Sequence, residues 1–322
     1  MVVADELSEY AAAVPLADRA LHYDDEHHLD GTYLYMLGAR AKLRLERCDW
    51  SGALADADAT LTRSGPVGVA AVLPLVVRGR IQAARGHPDA MSTLDQAARA
   101  AEGVGDVPLV APVADARSEY FLWSGDAERA REEARRGLEF AGLDRGQPFI
   151  IGRLAYRLWR AGGTEEVPVT AAQPYQMMIR GQWAEAAAEW ARRGGRYLQV
   201  EALSAGDQAA ASEALRILDE LGATGAAEYL RAQLRKRGFS RVPRGPRRTT
   251  AANAAGLTPR QADVLALLAE GLSNAEIADR LTLSVKTVDH HISAVLGKLG
   301  VANRSQAVAV AHRLNLVGGA AT

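Results

Sequence analysis

The side chains best suited to chemistry in this 322-residue sequence fall in one short stretch near its end. Lys286, Asp289, His290, Ser293 and Gly297 recur at helical spacing, so one helix face carries a cation, an acid, an imidazole, a hydroxyl and a gap. Such a face suits hydrogen bonding to the edges of base pairs. Lys286 can reach a phosphate or a guanine edge, His290 can donate to either, Ser293 can bond to several bases, and Gly297 leaves room for a backbone. Asp289 is repelled by phosphate unless it accepts from a cytosine amino group or pairs with a cation, and Lys286, three residues earlier, is the favoured partner. His291 lies nearer the apolar side and is expected to be packed and hydrogen-bonded, while Lys298 and Arg304 are expected at phosphates.

Other chemistry finds little support. His27 and His28 are adjacent, whereas two ligands share a helix face at i, i+4, so Tyr23 to Asp30 reads as a solvated loop between helices rather than a metal site. The phosphate-cradling spacing of two glycines followed by Lys-Ser/Thr is absent, and the one Gly-Lys pair, Gly297-Lys298, falls inside an expected helix. No nucleophile, base and orienter stand at a recognisable spacing. Neither cofactor nor metal is expected, and the chain is read as no enzyme.

The elements that position the polar face can be read from their boundaries. Thr258-Pro259-Arg260-Gln261 is a capping box with proline at the first helical position, and Gly271 closes that helix after Val264, Leu265, Leu267 and Leu268. Ser273-Asn274-Ala275-Glu276 opens a second, short helix, and Ser284 caps a third that runs to about Leu299. Two helices on the tight Thr282-Leu283-Ser284 connection have helix-turn-helix spacing. In the third, Val288, Ile292, Val295 and Leu299 form the apolar stripe opposite the polar face. Asn303 caps a fourth helix whose Ala307, Val308, Val310, Ala311 and Leu314 exceed what a small core should need, which suggests a dimer seam.

The remainder of the chain is helical of another kind. From Leu16 to Leu234, Ala-, Leu- and Arg-rich stretches alternate with turns at Cys48-Asp49-Trp50, Gly86-His87-Pro88, Gly125-Asp126-Ala127, Gly181-Gln182-Trp183 and Gly206-Asp207-Gln208. Alanines after the turns, such as Ala53, Ala130 and Ala186, let paired helices approach, while Leu37, Leu45, Trp50, Trp183 and Trp190 fill wider gaps. The pattern resembles an irregular tetratricopeptide repeat, a degenerate solenoid, with a plain helical bundle as the alternative. The formal net charge of -1 hides two opposed parts: 24 basic against 34 acidic residues up to position 230, and 14 against 5 from Arg231 onward. Gly238 to Gly256, with four arginines and no acid, reads as a flexible linker that either spaces the parts or tracks phosphates. The first ten residues carry three acids and no export signal, the longest apolar run, Pro66 to Val77, is too short to span a bilayer, and Cys48 is the lone cysteine, so a cytoplasmic protein without membrane contact is expected.

Leu257 to Ala311 resembles the LuxR-type DNA-binding domain of bacterial transcription regulators, on Leu257-Thr258-Pro259-Arg260, Glu270-Gly271, Asn274 with Glu276-Ile277-Ala278, Ser284 with Lys286-Thr287-Val288, and Lys298-Leu299-Gly300-Val301 with Arg304. The resemblance implies a four-helix domain that inserts its third helix into DNA and pairs through its fourth. By motif position Lys286, Thr287, Asp289, His290 and Ser293 become the recognition set, with Asn274, Ser284, Lys298 and Arg304 also at DNA. The body resembles the helical-repeat portion of large ATP-binding LuxR-type regulators, without their ATPase module. The expected chain is thus all-α: a repeat body over 1–237, a basic linker over 238–256 and a helix-turn-helix domain over 257–317. Its expected partners are double-stranded DNA, a second copy, and a protein or small-molecule effector on the body. A repeat scaffold with only nonspecific DNA affinity is the competing function.

Overall fold

A computed structural model describes residues 8–65, 68–142, 147–243, 245, 257, 259–299, 301 and 303–313. They form two units, Met1–Pro243 and Arg244–Thr322, and every regular element among them is helical. The first unit holds α1 (Tyr10–Glu26), α2 (Asp30–Glu46), α3 (Trp50–Ser64), α4 (Val72–Arg85), α5 (Ala90–Ala100), α6 (Val107–Ser124), α7 (Ala127–Ala141), α8 (Pro148–Arg160), α9 (Gln173–Ile179), α10 (Trp183–Arg193), α11 (Arg196–Ser204), α12 (Gln208–Glu220) and α13 (Thr224–Lys236). The second holds α14 (Pro259–Ala269), α15 (Asn274–Leu281), α16 (Val285–Leu299) and α17 (Arg304–Arg313). None of the described helices is long and apolar enough to cross a membrane.

All five expected turns fall between consecutive helices. Three share one local device, an aspartate whose carboxylate accepts from an otherwise unpaired amide in the first helical turn: Asp49 from Gly52 at 3.0 Å, Asp126 from Arg129 at 3.1 Å and Asp207 from Ala210 at 2.9 Å. Ala53, Ala130 and Ala186 are fully buried, as are Trp50 and Trp190 to within a few per cent, whereas Trp183 is only half-buried. The Tyr23 to Asp30 stretch is a correction: Tyr23 to Glu26 complete α1, Asp30 begins α2, and only the turn between them is non-helical. Asp24 there is buried rather than solvated.

Consecutive helices pack on one another, and alternate members α2, α4, α6 and α8 also touch, which is the pattern stacked hairpins produce. Later helices then return to earlier ones. α11 meets α2, and α13 meets α4 so closely that a Cβ on Gly225 would lie 2.9 Å from the Gly86 backbone nitrogen. The Thr224 hydroxyl donates to the Arg85 carbonyl across the same contact at 2.7 Å. At the other end, the Arg193 guanidinium donates to Glu9 at 2.8 Å.

Helices α2, α4, α6, α8 and α11 together bury an ionic cluster that sequence reading did not anticipate. Arg157, 1% exposed, donates to Asp115 at 2.7 Å, to Glu119 at 2.8 Å and to Glu201. Arg80 donates to Glu119 and to Glu46, each at 2.9 Å, and Arg153 donates to Glu46 at 2.7 Å and to the Tyr175 hydroxyl at 2.9 Å. Burial by itself raises the Glu46 carboxyl, but the Arg153 and Arg80 guanidiniums outweigh it and hold the group at about 2, below its ordinary 4.5. Because the folded value is depressed, the stability Glu46 contributes is complete above pH 4.5 and is lost as pH falls toward 2. Acid titration followed by tryptophan fluorescence is expected to unfold the first unit in that window, since all five tryptophans lie in it. Glu46→Gln is expected to flatten the pH dependence there, and an unchanged acid midpoint would count against this assignment.

The first unit extends beyond position 237. Phe239 and Val242 pack on its core, and the Arg231 guanidinium, 6% exposed, donates to the Pro243 carbonyl at 2.9 Å and to Asp219 at 2.5 Å. Arg237 donates to the carbonyls of Ser204, Ala205 and Gly206 at the end of α11. Residues 238 to 243 thus dock on the body where the sequence suggested a linker, and two arginines attributed to the basic tail are held within the body. Most of the expected linker lies outside the described residues.

Candidate nucleic-acid interface

The core of the second unit fixes which way α16 faces. Val264, Leu265, Leu267 and Leu268 of α14 are buried, and Gly271 ends that helix in the left-handed region at φ 87°. Thr258, the first residue of the expected capping box, lies outside the described residues. The second box is complete: the Glu276 amide donates to the Ser273 hydroxyl at 3.4 Å, and the Ser273 amide donates to the Glu276 carboxylate at 2.7 Å. The Ser273 hydroxyl and amide hold the Glu276 carboxyl below its ordinary value.

Between α15 and α16 the chain turns through Thr282, which adopts a left-handed φ of 54° although it is β-branched. Hydrogen bonds from the Thr282 amide to the Asp279 carbonyl at 3.2 Å, from the Leu283 amide to the Ala278 carbonyl at 2.8 Å and from the Arg260 guanidinium to the Leu281 carbonyl hold that turn. Ser284 then caps α16 by accepting from the Thr287 amide at 3.1 Å, and its hydroxyl also bonds the Thr287 hydroxyl at 2.7 Å.

Val288, Ile292 and Val295 are buried against α14, α15 and α17, and Leu299 is half-buried beside them. Lys286, Asp289, His290, Ser293 and Gly297 are consequently all exposed on the other side, and nothing stands within 4 Å of where a Gly297 Cβ would be. The surface is an open one, with cation, imidazole and hydroxyl presented along successive turns. His291 is half-buried and makes no hydrogen bond among the described residues.

Several polar residues have partners that the sequence did not suggest. Asp289 accepts from the Asn274 side-chain amide at 3.1 Å, a link between α15 and α16, rather than from Lys286. The Lys298 ammonium donates to Gln261 at 2.8 Å and so ties α16 to α14. Arg304 donates to the Leu272 carbonyl at 2.8 Å, anchoring α17 at the turn before α15. Lys298 and Arg304 each therefore brace the fold as described.

The fourth helix requires a larger correction. Ala307 and Ala311 are fully buried with Leu257, Leu265 and Val295, and Val308 packs against the cluster around Val264 and Val288. The apolar excess of α17 is taken up by the domain's own core, where small alanines allow close approach of α14 and α16. Of the expected seam only Val310 stays half-exposed and unassigned to that core, and Leu314 lies outside the described residues.

Residues 255–311 match the model for bacterial regulatory proteins of the luxR family. The chain is 48% identical over 61 residues to the transcriptional regulatory protein LiaR of Bacillus subtilis, which covers 19% of this chain and 29% of LiaR. It is 48% identical over 59 residues to the DNA-binding transcriptional activator DevR/DosR of Mycobacterium tuberculosis, 18% of this chain and 27% of that protein. Against the response regulator protein VraR of Staphylococcus aureus, identity is 46% over 61 residues, with the same 19% and 29% shares. The chain thus spans under a third of the length of these curated relatives, and no solved structure matches it. The four helices of the second unit form a LuxR-family helix-turn-helix domain, and every other regular element among the described residues is helical as well.

Proposed function

We propose that this protein is a sequence-specific, DNA-binding transcription regulator that inserts α16 into the major groove. The observation that carries the reading is the exposure of Lys286, His290 and Ser293 along α16 directly opposite its buried Val288 and Val295. Thr287, half-buried and bonded to the Ser284 cap, sets where α16 begins, and the Asn274 to Asp289 bond holds a carboxylate that would otherwise repel phosphate. From Leu257 to Thr322 the sequence has six basic against five acidic residues, so placement of donors rather than bulk charge supplies specificity. Two copies are proposed to share one operator, and the first unit is proposed to receive the signal.

Selection of bound fragments from genomic DNA tests the reading. Enrichment of a common sequence is expected, with an affinity that falls as salt rises, by roughly 0.9 in logarithmic slope for each phosphate neutralised. Retention of fragments without any shared sequence would leave a helical-repeat scaffold with only nonspecific DNA affinity as the better description.

A further inference from the structure

A cavity of about 480 Å³ opens in the first unit between α8, α11 and α13, within the roughly 300 to 1,000 Å³ usual for small-molecule sites. Its walls are unusually aromatic for a chain with so few aromatic residues. Tyr156 and Trp159 of α8 stack with ring centroids 5.9 Å apart, and Trp123, Tyr197 and Tyr229 contribute from three other helices. Trp159 is 41% exposed, a large apolar ring left in water at the rim.

The charges in this cavity are placed unevenly. Arg160 lies over two of the rings, 5.7 Å from the Tyr156 centroid and 5.9 Å from that of Tyr229, and donates to the Tyr156 hydroxyl at 3.3 Å. No carboxylate pairs with it among the described residues, although most arginines of this unit have one. Glu201, the one acid in the lining, is 9% exposed; one of its oxygens accepts from Arg157, and the other has no partner. Burial, with the neighbouring Glu119, drives the Glu201 carboxyl upward against the pull of Arg157 and Arg160. Arg237 adds a second positive charge to the lining.

We propose that this cavity binds a small organic acid with a planar apolar body, its carboxylate received by Arg160 and its ring lodged among the aromatic walls. A guanidinium presents paired donors that match a carboxylate, and Arg160, which feels Glu201 only at a distance, gives none of its N–H groups to an acid among the described residues. A cationic ligand would meet Arg160 and Arg237 against a single, already paired glutamate, so the same aromatic walls do not serve an amine here. That such an acid would act as the signal of a regulator rests on the DNA-binding reading above; the cavity and its ligand class do not.

Calorimetric titration of the full chain, without DNA, tests the assignment using indole-3-acetate and phenylacetate, with tryptamine and phenylacetamide as matched amine and amide. At least one acid is expected to bind saturably with one site per chain, and both matched compounds at least tenfold more weakly. Arg160→Gln is expected to weaken the acid at least tenfold, and Arg160→Lys less. Gln233→Trp, which adds bulk at the cavity lining and leaves Arg160 in place, is expected to abolish binding if Arg160→Gln fails to fold. Exposed Arg216→Gln on α12 is expected to bind as the parent does. Absence of saturable acid binding, equal binding of amine or amide, or unchanged affinity in the Arg160→Gln and Gln233→Trp variants would each overturn the proposal. Because DNA is absent from this titration, such a result leaves operator binding untouched, and failure to bind an operator leaves the titration standing.

Discussion

Replacing Arg157 with methionine is expected to unfold the helical body under conditions in which the parent is folded. The guanidinium lies at the centre of the ionic cluster, and its loss leaves Asp115, Glu119 and Glu201 facing one another with fewer cations. Breaking one side of a buried pair costs about 3–5 kcal/mol because the remaining charge stays out of water. Against a total stability of about 5–15 kcal/mol, that is a large fraction. Burial pushes the Arg157 pKa down, but Asp115, Glu119 and Glu201 together push it well above normal, so it is charged at any working pH. Urea denaturation followed by tryptophan fluorescence reads this unit alone, and a shift below about 1 kcal/mol would show that the cluster relaxes or admits water. Replacing arginine and its acids together by apolar residues of similar volume should restore much of the loss, because breaking the pair, not lacking it, is what costs.

The double variant His290→Ala, Ser293→Ala is expected to lose specific DNA binding while keeping its fold. Both side chains are exposed on α16, and exposed substitutions away from caps and networks move stability by about 0.5 kcal/mol or less. A well-placed base contact contributes about 1–3 kcal/mol of discrimination, so the pair should cost roughly tenfold or more at an operator and nothing on random DNA. Lys286→Ala separates the two roles: a phosphate contact lowers affinity evenly and reduces the salt slope by about 1, whereas a guanine contact relaxes one position of the site. Operator affinity unchanged in the double variant would remove α16 from the interface.

The parts legible in the sequence are those whose cause is local. Asp49, Asp126 and Asp207 announce helix starts because a cap is made within three residues, and Ser273 with Glu276 does the same. The orientation of α16 followed from Val288, Ile292 and Val295 for the same reason. The ionic cluster was hidden because its bonds join distant positions, Arg153 to Glu46 being 107 residues apart. Its only trace is charge at i, i+4 inside apolar stretches, as in Asp115 with Glu119 and Arg153 with Arg157. Ala307 and Ala311 misled because an apolar helix face does not say whether it meets its own domain or another molecule. The tail's positive charge was overread in the same way, since burial of Arg231 and capping by Arg237 are tertiary facts.

The contact of α13 on α4 also bears on how the body comes apart. In an open array each repeat touches only its neighbours, so unfolding can fray inward from either end and partly folded forms accumulate. Here residues 86 and 225 meet, and the last helix cannot peel away without uncovering the middle of the stack. Such distant pairing slows folding, because a long loop must close before the contact repays it. It also couples the last helix to the middle of the stack, so the thirteen helices should melt in one transition, with amide exchange in α4 and α13 rising together rather than in order along the chain.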